Sequence, residues 1–493
     1  MKNTNSPQDL LGLPFGWIYM ALLSVSAISV VVSIVLHRSI FPPLLIVSAT
    51  IFASLCVILI KRGQRLSSLP LGPDALILGL MGPGIFLSGV YLACYEVPSL
   101  IGLVAHSHSA VLQYAFKSLF LCFAGLAGFA LGYYTWPKNF ACHGQPGERL
   151  NSNRIALFIA LGLAAIGVLV ALQYIRVRGG IVNFMQVWND RDTLYQMPIY
   201  DRLIAALPMA TVIILCSPIR RRYYWLLAVP ITLFAIYCMY ATGGRHNVLR
   251  LSFACFITLL FTPQYIRFIR KHPIPILMAG FVFFILVYIS VGVLRGTAGS
   301  RIFGGGDFYS DAFFILGQGY IFESLLSSYY LPSLVPVSMA VHTFPDVFGF
   351  ARGDSFLAAL DVYVPKLIWS DFPNYQIGKT LRVAIFNDDA DSGLYASYIG
   401  ELWANFSYFG PFIGMLVLGF FARLVMSFVS RDSIDPLRRA FYAITFGSVV
   451  PMFLVVNAKP AAYNSVFLYI FLIIAWGAFL LFGGGIKTNN FKS

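Results

Sequence analysis

Arginines recur in one polar interval of the chain, residues 295–406, where phosphate chemistry could take place. Arg295 directly follows an apolar run, Arg301 lies six residues further on, and Arg352 stands in the sequence AlaArgGlyAspSerPhe. Arginine presents a planar fork of donors that matches phosphate oxygens, and it keeps its charge at any physiological pH. We expect these arginines, with Arg382, to bind a phosphate or pyrophosphate group carried by a lipid.

Three groups in the same interval could accept a proton. Glu401 stands in GlyGluLeuTrpAlaAsnPhe, where an apolar helix is predicted to begin, and His342 and Asp354 are the second choices. A carboxylate that is half buried at such a boundary has a raised pKa and can act as a general base. The alternative is that Glu401 complements the dipole of a helix N-terminus and has no chemical role.

Aromatic side chains are dense in this interval, and they suit a carbohydrate. Sugars present apolar CH faces ringed by hydroxyl groups, so aromatic faces beside amides and carboxylates bind them well. We therefore predict that Tyr395, Trp403 and Asn405 contact a glycan. Tyrosine and tryptophan also anchor ordinary membrane helices at the interface, which is the alternative explanation.

No motif in the sequence indicates a metal ion or a cofactor. The run Asp388, Asp389, Asp391 resembles the carboxylates that bind a divalent ion in sugar-nucleotide transferases. It is more simply an acidic loop, because oxygen-ligand sites recruit further carbonyls or carboxylates. The glycines at 304–306 lack the GlyLys ending that places a lysine on nucleotide phosphates. The sequence therefore predicts chemistry that needs neither metal nor cofactor.

The rest of the chain consists of long apolar runs. Of the 493 residues, 58% are hydrophobic and 11% are charged, whereas about a quarter are charged in a soluble globular protein. A membrane-spanning helix needs roughly 20 mainly apolar residues. The fold class predicted is an all-α polytopic membrane protein with twelve spans and one long loop. The predicted spans are 14–36, 41–60, 73–95, 110–134, 155–175, 203–218, 223–242, 247–266, 274–294, 407–430, 440–457 and 463–482.

The basic connectors between these runs predict the orientation. Lysine and arginine clusters fall in alternate connectors, and the positive-inside rule places those connectors, with both termini, in the cytoplasm. Residues 1–294 then carry spans one to nine, 295–406 form one large periplasmic loop, and 407–493 carry spans ten to twelve. The net charge of +14 does not indicate nucleic-acid binding, because it is divided among these short clusters.

Two further outer segments carry arginines that this orientation does not require. Arg178 and Arg191 lie near several aspartates between spans five and six, and Arg245 with His246 follows two glycines between spans seven and eight. Substrate contact and local ion pairs are both compatible with the first pair. For Arg245 and His246, two explanations are open. The two glycines allow a tight turn that another group, such as substrate, can approach closely, or Arg245 only extends its side chain to the membrane interface.

Two helices are predicted within the large loop. The segment 313–334 is apolar but contains glycines and prolines, so an interfacial or broken helix is expected there. The segment 354–369 alternates aliphatic, aromatic and polar residues, and it is expected to form a helix that ends at Pro365.

Several motifs resemble one protein family. They are ThrGlyGlyArg at 242–245, LeuArgGly at 294–296, GlyAspSerPheLeu at 353–357, ValProLysLeuIleTrp at 364–369 and GlyGluLeuTrpAlaAsnPheSerTyrPheGly at 400–410. Together they resemble the Wzy-type O-antigen polymerases, which are membrane-embedded glycosyltransferases of the C class. Arg295/Gly306 and Arg382/Gly393 match the ten-residue spacing described for periplasmic loops of some members. Lys366 departs from the family, in which arginine is frequent at that position.

The resemblance implies a reaction and a location. Such enzymes transfer a growing glycan from undecaprenyl pyrophosphate onto a lipid-linked repeat unit, at the periplasmic face of the bacterial inner membrane. Arginines, with Arg295, Arg245 and Arg352 as first choices, would hold the departing pyrophosphate, and Lys366 would contact substrate. A chain-length regulator protein is a further partner to test.

Two other functions remain open at this stage. One is an O-antigen ligase, which would move the finished glycan to the lipid A core. The other is a transporter or flippase for the same lipid-linked sugar, which should carry charged or helix-breaking residues in the middle of several spans. Charge within the predicted spans is scarce, Lys117 being the main example, and this favours an enzyme.

The predicted orientation can be tested by cysteine labelling in a variant whose seven native cysteines are replaced by alanine. We expect Asp389→Cys to react with an impermeant maleimide in spheroplasts, because it lies in the predicted outer loop. Arg221→Cys, in a predicted inner connector, should react only after the membrane is permeabilised. Labelling of Asp389→Cys only after permeabilisation would place the loop in the cytoplasm and overturn the functional argument.

Overall fold

The computed structural model describes most of the predicted spans and part of the large loop. The described residues are 22–31, 41–66, 72–94, 108–135, 149–177, 179–180, 198–217, 224–243, 245–261, 268, 271–272, 282, 332–361, 375–387, 394–429 and 435–484. Within these ranges the regular secondary structure is helical and no β-strand occurs. A helix satisfies its own backbone groups, which is what a chain of this apolarity requires in lipid.

The helices are numbered here in chain order. They are α1 (Leu22–Val31), α2 (Phe41–Leu66), α3 (Pro73–Cys94), α4 (His108–Tyr134), α5 (Arg149–Val177), α6 (Pro198–Ile204), α7 (Ala206–Cys216), α8 (Tyr224–Gly243), α9 (Arg245–Leu260), α10 (Leu334–Thr343), α11 (Asp354–Leu360), α12 (Ile377–Phe386), α13 (Ser397–Phe406), α14 (Phe409–Phe428), α15 (Pro436–Ile444), α16 (Val450–Val455) and α17 (Ala458–Gly484). A π-helical turn, Thr445–Val449, joins α15 to α16.

Six of the described helices are long and apolar enough to cross a membrane. They are Phe41–Gly63, Pro73–Cys94, Ala110–Tyr134, Asn153–Val177, Phe409–Phe428 and Ala458–Leu481. Each coincides with a predicted span, and together with the absence of strands in the described residues they agree with a polytopic membrane protein. Four more predicted spans contain shorter apolar helices, namely Leu22–Val31, Arg202–Cys216, Leu226–Met239 and Asn247–Leu260.

The full count of twelve spans stays a prediction. The predicted span at 440–457 consists of α15, the π turn and α16, and the predicted span at 274–294 lies outside the described residues apart from Val282. The predicted helix at 313–334 also lies outside them up to residue 331. The predicted helix at 354–369 is described only as α11, which ends at Leu360.

By its internal contacts the chain divides into two compact units. Unit 1 comprises Met1–Ala141, Phe322–Phe428 and Val449–Asn464, and unit 2 comprises Cys142–Ile321, Val429–Ser448 and Ser465–Ser493. The division predicted at residues 294 and 406 concerns position relative to the membrane, and it stays a prediction.

The scaffold of unit 1 rests on a close approach of α4 and α14. A Cβ atom at Gly128 would lie 2.1 Å from the carbonyl oxygen of Phe412, and one at Gly132 would lie 2.2 Å from that of Leu416. Gly419 on α14 faces the carbonyl oxygen of Phe129 in the same way, at 2.4 Å. Small residues at such positions let two membrane helices pack backbone to backbone, where dispersion contacts supply the attraction.

Buried hydroxyl groups attach α10 to this scaffold. The backbone N–H of Leu334 donates to Ser88 Oγ on α3 at 2.9 Å, and the hydroxyls of Ser118 on α4 and Ser338 on α10 are 3.1 Å apart. The N–H of Leu334 belongs to the first turn of a helix, so Ser88 satisfies a donor that has no intrahelical partner. These contacts fix one end of α10 before the chain enters α11.

Unit 2 has its own packing around α5, α7, α8 and α9. Tyr174 on α5 stacks on Tyr200 of α6 with ring centroids 5.3 Å apart. A Cβ atom at Gly447 in the π turn would lie 2.5 Å from Ala254 Cα on α9. The contact with α9 therefore also depends on a glycine.

The glycine at 128 gives a stability prediction. Gly128→Ala should lower the melting temperature of the purified protein, because its Cβ would meet a backbone oxygen that cannot rotate away; overpacking of this kind costs about 1–3 kcal/mol. Gly79→Ala on α3 is the matched control, since nothing lies within 4 Å of a Cβ at that position. Equal melting temperatures for the two variants in detergent would contradict the proposed close contact.

Candidate functional site

The candidate site in unit 1 is built around the carboxylate of Glu401. Its side chain is 1% exposed, Oε1 accepts from Ser355 Oγ at 2.6 Å, and Oε2 accepts from the backbone N–H of Ala458 at 2.5 Å. These partners begin α11 and α17, whereas Glu401 is the fifth residue of α13. One carboxylate therefore connects three helices that are far apart in the sequence.

The position expected for Glu401 in its own helix is wrong. The apolar run that contains it is broken at Ser407, which has a φ of +58°, so α13 is a helix separate from the spanning helix α14. Glu401 consequently lies in the middle of α13 and not at the start of a span. It does complement a helix dipole, but that of α17, whose first residue is Ala458.

Burial raises the pKa of Glu401 from 4.5 to about 7, because water no longer solvates the charged form. The hydrogen bonds from Ser355 and Ala458 favour the charged form and lower the pKa, but they do not offset the burial. The direction of this change is the one expected from the sequence. A carboxyl group with this pKa exchanges its proton near neutral pH.

Asn405 extends the network along α13 to the turn before α11. Its Nδ2 donates to Ser355 Oγ at 2.8 Å and to the carbonyl oxygen of Glu401 at 2.7 Å. Its Oδ1 accepts from the backbone N–H of Gly353 at 3.0 Å. The nitrogen and the oxygen of the Asn405 amide group thus both have partners within the protein, and the residue is 3% exposed. In this conformation the Asn405 side chain holds the turn at Gly353, before α11, and does not face a site where a sugar could bind.

The turn before α11 carries Arg352 in an uncommon backbone conformation. Arg352 has a φ of +49° and Gly353 a φ of +98°, so two successive residues are left-handed. A glycine adopts this region readily, while a residue with a Cβ is held there only by its surroundings. The hydrogen bond that the Gly353 N–H donates to Asn405 Oδ1 supplies that restraint, and the Arg352 side chain is exposed.

Asn457 ties the segment before α13 to the start of α17. Its Oδ1 accepts from the backbone N–H of Ala396 at 2.7 Å, and its Nδ2 donates to the carbonyl oxygen of Leu394 at 3.1 Å. Next to it in the chain, Lys459 forms an ion pair with Asp361 at 3.4 Å, just after α11. The start of α17 is therefore connected to the segment before α13 by Asn457, and to the end of α11 by Lys459, in addition to the contacts at Glu401.

An apolar cavity of about 540 Å³ lies beside this network. Arg352 is the only charged residue among those that line it, and Ala458 and Gly353, which hydrogen-bond to the network, form part of the wall. The remaining walls are apolar, and the lining residues are Arg352, Gly353, Phe356, Leu357, Ala359, Leu360, Phe406, Phe453, Ala458 and Ala462. A guanidinium group at the rim of an apolar cavity can bind the anionic end of an amphiphilic molecule.

The other side of α13 faces a cation within a spanning helix. The Lys117 ammonium of α4 lies 4.8 Å from the ring centroid of Trp403 and 5.8 Å from that of Tyr408. Trp403 is 1% exposed and its Nε1 donates to the carbonyl oxygen of Phe344 at 3.0 Å. The tryptophan predicted to contact sugar is therefore a core residue, which positions α13 against α4 and α10.

The remaining predicted residues occupy several places. Asp354 is exposed at the start of α11, beside Arg352. His342 on α10 faces Tyr114 of α4, with ring centroids 5.0 Å apart. Tyr395 packs on a buried cluster that includes Met452 of α16, and Arg382 is half buried on α12. The structure thus brings Arg352, Asp354, Glu401 and Asn405 together at the α11–α13 contact, while the other three lie in separate contacts.

Some predicted residues are not described. Arg295, Arg301, Arg178, Arg191 and Lys366 lie outside the described residues, as does the acidic run at 388–391. Arg245 and His246 begin α9 in unit 2, but their side chains are outside the description.

Metal-ligand geometry can be assessed only for the part of the chain that the structure describes. There, no group of three or more His, Cys, Asp or Glu side chains lies close enough to hold a metal ion.

Sequence reasoning missed Ser355, Asn457 and Ala458. Ser355 stands beside the predicted Asp354, so the motif GlyAspSer carried a signal for it. Asn457 and Ala458 carry no such signal, because a buried amide and a backbone N–H become functional only through contacts with α13 and the segment just before it, more than fifty residues away.

These features define a class, a polytopic α-helical membrane protein with an arginine at the rim of an apolar cavity beside a buried carboxylate. The sequence matches the family described as O-antigen polysaccharide polymerase Wzy over residues 18–488, nearly the whole chain. The chain therefore belongs to that family, and it is a membrane protein of O-antigen polysaccharide polymerisation. No curated protein and no solved structure matches it.

The pKa of Glu401 gives a prediction about pH. Because burial raises its folded-state pKa to about 7, the protonated group contributes stability that is complete at acidic pH and is lost as the pH rises through about 7. Glu401→Gln does not titrate, so the melting temperature of this variant should depend less on pH than that of the parent. Thermal unfolding of both proteins in detergent between about pH 4.5 and 8 measures the difference.

The exposed Asp346 provides the control, and Asp346→Asn should keep the parental pH dependence. Identical pH profiles for the parent and Glu401→Gln would show that Glu401 does not titrate in this range.

Proposed function

We propose that this chain joins glycan repeat units carried on undecaprenyl pyrophosphate into a polysaccharide, at the periplasmic face of the bacterial inner membrane. The observation that carries the proposal is the cavity of about 540 Å³ with Arg352 at its rim and the Glu401 network behind its wall. Such a substrate has an apolar tail, a charged middle and a polar glycan. The cavity offers matching surfaces for the first two parts.

The apolar walls suit the lipid end of this substrate. Phe356, Leu357, Phe406 and Phe453 present aromatic and aliphatic surface to the cavity. Burial of a prenyl chain against them removes apolar surface from water, at about 0.8 kcal/mol for each CH₂ group. The lipid would thereby bring the pyrophosphate to a fixed depth beside α11.

Arg352 is proposed to bind the pyrophosphate and to stabilise it as it departs. When the glycan is transferred, the bond between its anomeric carbon and a phosphate oxygen breaks, and negative charge develops on that oxygen. A donor fork held in place before the reaction stabilises this charge without reorganising. We propose that Arg295 and Arg245, predicted from the sequence, contribute to the same function. Arginines in these roles make a metal ion unnecessary, so we expect polymerisation to persist in EDTA.

The acceptor hydroxyl must lose a proton as the new glycosidic bond forms. The sequence favours Glu401 as this base, but both of its carboxylate oxygens accept hydrogen bonds within the protein and the side chain is buried in this conformation. Asp354 is exposed next to Arg352 and can be reached from outside. We therefore propose that Asp354 accepts the proton of the acceptor hydroxyl. Glu401 has a positioning role, because its hydrogen bond with Ser355 fixes the start of α11.

Arg352 provides the experimental test of the function. In cells that make the polysaccharide, Arg352→Lys and Arg352→Ala should leave lipid-linked single repeat units in place of long chains. Lysine cannot supply two parallel hydrogen bonds, and loss of a charge-stabilising donor costs about a hundredfold or more in rate. Gel electrophoresis of the surface polysaccharide, with expression confirmed by immunoblot, measures the outcome.

The matched control is Arg154→Ala. Arg154 is exposed near the start of α5 and belongs to a predicted inner connector with two other basic residues, so its loss should leave long chains. Chains of normal length in a well-expressed Arg352→Ala strain would refute the role of Arg352. Full-length chains that fail to reach the lipid A core would indicate a ligase.

A further inference from the structure

A second cavity of unit 1 has a different chemical character from the first. Its volume is about 370 Å³, and it is lined by Phe348, Tyr375, Gln376, Lys379, Thr380 and Val383. Two aromatic rings, an amide, a hydroxyl and an ammonium group surround it. Tyr375 is one of the aromatic residues in the interval 295–406 that the sequence associates with a carbohydrate, whereas the other lining residues were not predicted to be functional.

One face of α12 and the turn after α10 build this cavity. Gln376, Thr380 and Val383 recur at helical spacing and face it, while Ile377 and Leu381 on the other side of α12 are buried in the protein. Phe348 is 37% exposed in the turn that follows α10. The cavity therefore has one wall from a helix that is anchored in the core and another from an aromatic side chain that is open to solvent.

One short segment contributes residues to both cavities. Phe348 borders the second cavity and Arg352, four residues later, borders the first. Burial raises the pKa of Tyr375, and the negative charge of Asp354 adds to the effect, while a hydrogen bond with Thr380 opposes it. Asp354, the group assigned to accept the proton, follows Phe348 and Arg352 in the same short segment of the chain.

We propose that this second cavity is a glycan subsite, which binds a sugar ring of the glycan away from the bond that reacts. The inference rests on the proposed function. A pyranose presents an apolar CH face, which Tyr375 and Phe348 can cover, and equatorial hydroxyls, which Gln376 and Thr380 can bind as donor and acceptor. The order lipid, pyrophosphate and sugar in the substrate then corresponds to the apolar cavity, Arg352 and the second cavity in the protein.

A subsite of this kind has a kinetic signature. A sugar bound away from the reacting bond makes the same contacts before and during the reaction, so its loss raises KM and leaves kcat nearly unchanged. The growing glycan should also dissociate earlier when the contact is lost. Substitutions in the cavity should therefore shorten the chains, whereas substitution of Arg352 should prevent them.

The test uses the full-length protein in nanodiscs and oligosaccharides released by mild acid from the producing strain's own polysaccharide. Saturation-transfer NMR measures their binding to the parent, Tyr375→Ala, Gln376→Ala and Val347→Ala. We expect about tenfold weaker binding for the first two variants, because each loses a stacking face or a hydrogen-bonding amide. Val347→Ala is the matched control, since Val347 is 50% exposed beside Phe348 but does not line the cavity.

Several outcomes separate this inference from the proposed function. Parental binding by Tyr375→Ala and Gln376→Ala, with parental chain length, would overturn the subsite and leave the polymerase intact. Displacement of the oligosaccharide by inorganic pyrophosphate, abolished in Lys379→Met, would show an anion site and also overturn it. Conversely, oligosaccharide binding that depends on Tyr375 in a protein without transferase activity would support the subsite and refute the proposed reaction. Melting temperatures exclude misfolded variants.

Discussion

A carboxylate buried in an apolar interior must be satisfied by hydrogen bonds, because the effective cost of removing such a group from water is several kcal/mol. Glu401 meets this requirement with Ser355 on α11 and the first N–H of α17. The two partners are separated in sequence by about a hundred residues, so the requirement is met only when α11, α13 and α17 have come together. The carboxylate thereby sets the position of the turn at Arg352 and Gly353, which leads into α11. It also sets the position of the cavity wall, which α11 and α17 help to form.

The helix that carries Glu401 is held from the opposite side by apolar and aromatic contacts. Trp403 packs against Lys117 of α4 and hydrogen-bonds to the carbonyl oxygen of Phe344 after α10. Helix α4 in turn approaches α14 so closely that only glycine fits at position 128. The hydrogen bonds of Glu401 on one face of α13 and the close packing of Trp403 on the other fix the rotation of this helix about its own axis. The rotation in turn determines that Glu401 points towards α11 and α17.

Composition and periodicity predicted the helical membrane class and the six long spans, because an apolar run of about 20 residues has few other solutions. They also pointed to the interval that contains Arg352 and Glu401. The span that contains α14 was predicted to begin at 407, but α13 was missed as a separate helix, because Ser407 interrupts a run that is apolar on both sides and its positive φ leaves no compositional trace. Ala458 could not be predicted at all, since it contributes a backbone N–H and its side chain is only a methyl group. Features of this kind depend on which distant elements meet, and a single sequence does not encode that in any local pattern.

The wall of the apolar cavity has a consequence for how such a protein can diverge. Ala359, Ala458 and Ala462 pack together there with Phe356 and Phe453, so methyl groups on two helices determine much of the space. The hydrogen bond from residue 458 to Glu401 uses the main chain, and every amino acid except proline retains it. A change from alanine to valine, which requires a single nucleotide, would therefore narrow the cavity without disturbing the carboxylate network. The volume of the cavity can therefore change in evolution while the hydrogen bonds of Glu401 stay the same. For the same reason, a single substitution in the cavity wall gives cells a route to resist a compound that fills the cavity.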